Sequence, residues 1–117
     1  MSSLASALTV WLEQRLDAYI EELRQLCAIE CPTSHKPGVD AAGAWVARWA
    51  AARGWPLVRY PDATAGDGLV ATVRGTGRSR VMLVAHLDTV YPVGTAAERP
   101  LRREGGRLLG PGSADNK

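Results

Sequence analysis

The sequence predicts an α/β protein in which two N-terminal helices are followed by strands of a mixed sheet. Three observations carry that prediction. From Ser6 to Glu30 apolar side chains recur at spacings of three and four, the period of one helix face. From Pro56 onward, short apolar runs alternate with clusters of Gly, Pro and Asp, the pattern of strands and turns. The run Val81-Met82-Leu83-Val84-Ala85 then stops at His86-Leu87-Asp88, so a buried strand is predicted to deliver a histidine and a carboxylate to its end.

At 117 residues, with 46% hydrophobic and 22% charged side chains, the chain has the size and composition of one soluble domain or a piece of one. Its 14 basic and 12 acidic residues leave a formal charge of +2, too little for a broad pull on nucleic acid or an anionic membrane. Met1-Ser2-Ser3-Leu4-Ala5-Ser6 lacks the basic start of a secretory signal, and no apolar run approaches the roughly 18 residues of a membrane span. A cytoplasmic location without nucleic-acid or membrane partners is the expectation.

Taken in order, the first element is one amphipathic helix from Ser6 to Glu30. Leu8, Trp11, Leu12, Leu16, Tyr19, Ile20, Leu23, Leu26 and Cys27 form its apolar stripe, and Glu21-Glu22 lies on the solvated face. Cys27 and Cys31, four apart where this helix ends, allow a bridge or a metal contact, but buried reduced thiols are the simpler reading. Pro32 ends the helix and opens a turn-rich loop to Gly38. Asp40 is the predicted cap of a second helix through Val46 and Trp49 to Ala52, with Gly54 terminating it.

Pro56 to Tyr60 and Leu69 to Arg74 read as strands around a polar loop. Gly75-Thr76-Gly77-Arg78 gives hairpin-like spacing to Val81–Ala85, predicting an antiparallel pair. A dinucleotide-binding reading of Gly75-x-Gly77 fails, because Arg80 takes the third glycine position and a strand follows. Leu101-Arg102-Arg103 and Arg107-Leu108-Leu109, flanking Glu104-Gly105-Gly106, predict a short hairpin.

In an extended segment residues i and i+2 point the same way, so His86 and Asp88 can act together. A neutral imidazole can ligate a divalent metal through one nitrogen while a carboxylate accepts the proton on the other. Asp88 could instead orient His86 as a general base, although no serine in a nucleophile-elbow pattern accompanies it. The plainest alternative is a histidine bonded to a backbone carbonyl, with Asp88 capping a turn. Asp115 follows Gly110-Pro111-Gly112-Ser113-Ala114, and its two oxygens could bridge two cations or merely stabilise the turn.

Together, His86-Leu87-Asp88-Thr89-Val90-Tyr91-Pro92, Gly94, Arg99-Pro100-Leu101, Glu104-Gly105, Arg107-Leu108 and Gly110-Pro111-Gly112-Ser113-Ala114-Asp115-Asn116-Lys117 resemble the M20 family of zinc metallopeptidases. Within that family the resemblance is to the branch containing glutamate carboxypeptidases. It is strong from Val81 to Lys117 and looser over the N-terminal helices. The resemblance implies the N-terminal part of a zinc-exopeptidase-like catalytic domain, one that hydrolyses amide bonds and releases a C-terminal amino acid such as glutamate. Small peptides or N-acyl amino acids are the implied substrates, and deacylases and dipeptidases share the motifs. The implied cofactor is a pair of zinc ions, with manganese or cobalt also suited to such donors.

By the same resemblance, His86 is a zinc ligand, Asp88 the catalytic-site carboxylate that orients it, and Asp115 the bridge between metals. A cis Asp115-Asn116 peptide and a homodimeric complete protein are further implications. The family's Lys-Gly-Gly continuation, its tandem Glu-Glu, a further acidic ligand and a distant histidine have no counterpart in these 117 residues. The chain is therefore read as a truncated portion, 1–117, lacking the insert or dimerisation domain, inactive alone and a weak binder of zinc. The competing expectation is a non-catalytic α/β remnant or interaction module.

Overall fold

The computed structural model describes residues 3 to 115. Ser3 caps the first helix, α1 (Leu4–Glu13), its hydroxyl oxygen accepting the Ser6 N–H at 3.2 Å and satisfying one donor that a helix start leaves open. The single helix expected from Ser6 to Glu30 is in fact two, because α1 closes at Gln14 and α2 runs Leu16–Cys27. At the break Arg15 stacks over the Trp11 ring at 3.8 Å, donates to the Trp11 carbonyl, and sends its own N–H to Leu12. That shorter backbone bond tightens the turn. The apolar spacing continues in register through it, so periodicity alone cannot reveal the break.

Burial separates the two helices: α1 buries no residue, whereas α2 buries Ile20, Leu23, Leu26 and Cys27 along one face. The next helix, α3 (Lys36–Ala51), begins before the predicted Asp40 cap, with Pro37 in its first turn, where a missing N–H costs nothing. Asp40 instead sits one turn inside, paired with Lys36 at 3.0 Å. Gly38 allows the close approach of α3 to the end of α2, since a Cβ there would overlap the Glu30 carbonyl oxygen. Gly54, at φ +69°, follows the helix as predicted.

Leu57–Tyr60 (β1) and Gly68–Ala71 (β2) pair antiparallel, with Val58 opposite Val70. After the short helix α4 (Thr95–Glu98), Arg102–Glu104 (β3) and Arg107–Leu109 (β4) form the predicted hairpin, with Gly105 at φ +57° in its turn. The described residues thus hold four helices and two separate two-stranded antiparallel sheets, which corrects the expectation of a mixed sheet. Val81 to Ala85 is not a strand, and the antiparallel pair predicted for it with Leu69–Arg74 does not form. A strand exists only through its ladder partner; β2 pairs with β1, and among the described residues no backbone group bonds to Val81 to Ala85.

The core is two small clusters to which α2 contributes in turn. Leu26, Cys31, Val39 and Ala42 make one, with Ile29, Trp45 and Leu87 against it. Leu23, Cys27 and Leu101 make the other, with Leu108 against it. Cys27 and Cys31 are buried and not disulfide-bonded, one in each cluster. Among the described residues no helix is long and apolar enough to cross a membrane.

Candidate metal centre

The site begins where the chain leaves α2. Residues 31 to 33 run parallel to residues 87 to 89: Thr89 N–H donates to the Cys31 carbonyl at 2.9 Å and Thr33 N–H to the Thr89 carbonyl at 3.0 Å. The Cys31 thiol adds a bond to the Leu87 carbonyl at 3.1 Å. This clasp holds residues 86 to 89 extended even though no strand leads into them. Leu87 turns into the core, and His86 and Asp88 meet outside it, the alternation predicted from sequence.

His86 Nδ1 lies 3.0 Å from the Asp88 carbonyl oxygen and 3.1 Å from Asp88 Oδ1. Both neighbours only accept, so Nδ1 carries the hydrogen and the neutral ring presents its lone pair at Nε2. Nε2 faces Asp115 Oδ1 at 3.2 Å. The His86 pKa is raised, first by the Asp88 carbonyl and then by the Asp115 carboxylate. Asp88 is held below the usual carboxylate range, chiefly by the Thr33 hydroxyl. Thr33 donates to Asp88 Oδ2 at 2.5 Å; it was not among the residues singled out from sequence, and nothing in its local spacing marks it.

Asp115 reaches His86 through a loop seated on the core. A Cβ at Gly110 would stand 2.9 Å from the Leu101 Cα, so only glycine lets the backbone lie this close to a residue packed against Leu23 and Cys27. Gly112 takes φ +79°, a left-handed turn that a side chain would strain. Ser113 bonds back to the Gly110 carbonyl through both N–H and hydroxyl, and Asp115 N–H returns to Gly112. The implied cis bond between Asp115 and Asn116 lies outside the described residues.

Two other acids singled out by position are engaged elsewhere. Glu30 accepts the N–H groups of Ala96 and Ala97 at the start of α4, and Glu22 of the tandem pair binds Arg53 at 2.8 Å. Among the described residues, no three of His, Cys, Asp and Glu converge so as to hold a metal ion by themselves. Two donors do face one another. Nitrogen and oxygen ligands of one tetrahedral zinc, at ordinary bond lengths, stand about 3.4 Å apart, close to the 3.2 Å between His86 Nε2 and Asp115 Oδ1. The pair therefore fits part of a metal site, and the same separation is a hydrogen bond when the imidazole is protonated.

No family model matches the chain. It is similar to carboxypeptidase G2 of Pseudomonas sp. (strain RS-16), with 36% identity over 102 residues, covering 86% of this chain and 25% of that protein. The chain thus spans about a quarter of the length of this relative. A stretch of that length within 117 residues includes His86 and Asp88 wherever it starts. At a coarse level the similarity relates the chain to carboxypeptidase-type hydrolases.

Proposed function

We propose that this chain is the N-terminal portion of the catalytic domain of an M20-like metallohydrolase, and that His86, Asp88 and Asp115 are its share of a two-zinc centre. One observation carries the reading: a histidine whose Nδ1 proton is held by Asp88 and whose Nε2 faces an isolated carboxylate at 3.2 Å. Similarity to a carboxypeptidase supports it. The reaction is hydrolysis of an amide bond in a small peptide or N-acyl amino acid, with release of a C-terminal residue such as glutamate.

His86, through Nε2, and Asp115, through its carboxylate, would be the residues that hold the metal ions. Asp88, itself fastened by Thr33, keeps the ring turned and raises its basicity as a ligand. Zinc, when bound, polarises a carbonyl and lowers the pKa of an attacking water. A catalytic zinc takes about three protein ligands, and the reaction also needs a base. The described residues offer two donors, so the 117-residue chain by itself is proposed to be catalytically silent and to hold zinc weakly.

The experiment joins binding and turnover. Zinc titrated into the chain should bind weakly and lose its site in His86→Ala and Asp115→Asn. In a longer version carrying the remaining ligands, a panel of N-acyl amino acids should show release of the C-terminal residue that disappears with His86→Ala. Zinc binding indifferent to both substitutions would sink the assignment. A second reading, a non-catalytic interaction module, draws on the exposed apolar run Val81–Val84; it predicts no turnover in any longer version.

A further inference from the structure

Cys31 is 1% exposed, packed with Leu26, Val39 and Ala42, and its thiol takes no part in the proposed reaction. Its position relative to Asp88 gives it another task. The thiol donates to the Leu87 carbonyl at 3.1 Å, and the Cys31 carbonyl accepts the Thr89 N–H at 2.9 Å. Those two groups belong to the two peptide units on either side of Asp88, so one residue grips both planes. In a trans unit the C=O points opposite to the N–H. Turning the Thr89 N–H toward Cys31 therefore turns the Asp88 carbonyl the other way, where it meets His86 Nδ1 at 3.0 Å. Thr33 completes the arrangement by holding the Asp88 side chain through Oδ2, leaving Oδ1 for the same nitrogen.

Both ring nitrogens of His86 face oxygen acceptors: Nδ1 faces the Asp88 carbonyl and Oδ1, and Nε2 faces Asp115 Oδ1 at 3.2 Å. A neutral imidazole has one proton for these two sides. On Nε2 it would occupy the place of a metal; on Nδ1 it leaves that lone pair open. The Asp115 side chain is 76% exposed, and water weakens its pull, whereas the thiol bond lies in the core, where a hydrogen bond is stronger. We propose that Cys31 is a positioning residue of this centre, fixing the backbone of Asp88 so that the His86 proton stays on Nδ1. The inference rests on the metal-site reading only for what Nε2 then holds.

Nitrogen NMR of the neutral His86 ring in the metal-free chain reads the tautomer directly, and zinc titration reads its consequence. Cys31→Ala removes the donor; it should move the ring part of the way to the Nε2–H form and weaken zinc binding about two- to fivefold, the scale of a thiol hydrogen bond. Cys31→Ser restores a donor and should return both readings to those of the parent chain. Ile20→Val trims a buried side chain of α2 outside both clusters; it should lower the denaturation midpoint and leave tautomer and zinc affinity alone. An Nδ1–H population unchanged in Cys31→Ala overturns the proposal. So does Cys31→Ser behaving like Cys31→Ala, or an equal tautomer shift in Ile20→Val, which would make the effect one of lost stability. A parent chain that takes up no zinc yet shows the expected tautomer changes would end the metal-site reading and leave the positioning role standing.

Discussion

The Thr33 hydroxyl donates to Asp88 Oδ2 at 2.5 Å, tying the exit of α2 to the segment that carries His86. Because Asp88 also holds His86 Nδ1, a residue 55 positions before Asp88 in sequence bears on the orientation of the imidazole.

Thr33→Val keeps the shape and removes the donor. The loss should cost about 1 kcal/mol of stability, the ordinary net worth of one hydrogen bond, and should raise the Asp88 pKa toward its usual value. Urea denaturation and carboxyl NMR titration read the two effects. An Asp88 titration unchanged in Thr33→Val would show that the hydroxyl is not what depresses it.

In metal-free protein the His86 ring should titrate above the ordinary histidine value of about 6.5, since the Asp88 carbonyl and the Asp115 carboxylate both favour the cation. Its contribution to stability is complete below the unfolded-state pKa and is lost as pH rises through the higher folded value. Asp115→Asn should lower the midpoint only part of the way, because the Asp88 carbonyl remains. Zinc competes with the proton at Nε2 and should lower the apparent midpoint. Ring-proton NMR follows both.

Lys36 bridges Asp67 at 2.7 Å and Asp40 at 3.0 Å, binding the start of α3 to the loop before β2. Asp67 is lowered first by the Lys36 hydrogen bond and Asp40 first by the Asp67 backbone N–H, while Lys36 is raised by both carboxylates. Depressed carboxylates stabilise above their unfolded-state pKa and lose that contribution as pH falls through the folded value; the raised lysine loses its contribution only as pH climbs through its own. The denaturation midpoint should accordingly fall on the acid side below about pH 4. Asp67→Asn should lower the neutral-pH midpoint and flatten that acid decline, as thermal melts across pH would record.

Gly110→Ala places a Cβ 2.9 Å from the Leu101 Cα. The backbone must part from the Leu23 and Cys27 cluster to admit it, at a cost of about 1–3 kcal/mol, and the Asp115 carboxylate should move away from His86. A melt together with the His86 titration separates the outcomes: unchanged values in both would show that this contact is not what seats the loop.

Local signals were legible in the chain itself. The Gly105-Gly106 turn needs one positive φ, so its hairpin is written into adjacent residues. Alternation along an extended segment put His86 and Asp88 together and Leu87 apart, and the glycine-rich lead-in marked Asp115 as a residue on a shaped loop. The helix periodicity found α2's buried face but passed over the break at Gln14 and Arg15, because the spacing there is unbroken.

What tertiary structure alone decided are the relationships between distant segments. Cys31 to Thr33 pairing with Leu87 to Thr89 makes Thr33 the partner of Asp88, and no local pattern encodes a parallel clasp across more than fifty residues. Val81 to Ala85 has every property of a buried strand yet stands exposed. Composition states how readily a segment can pair and be covered; whether it does so depends on a neighbour, and only the folded chain shows whether one is there.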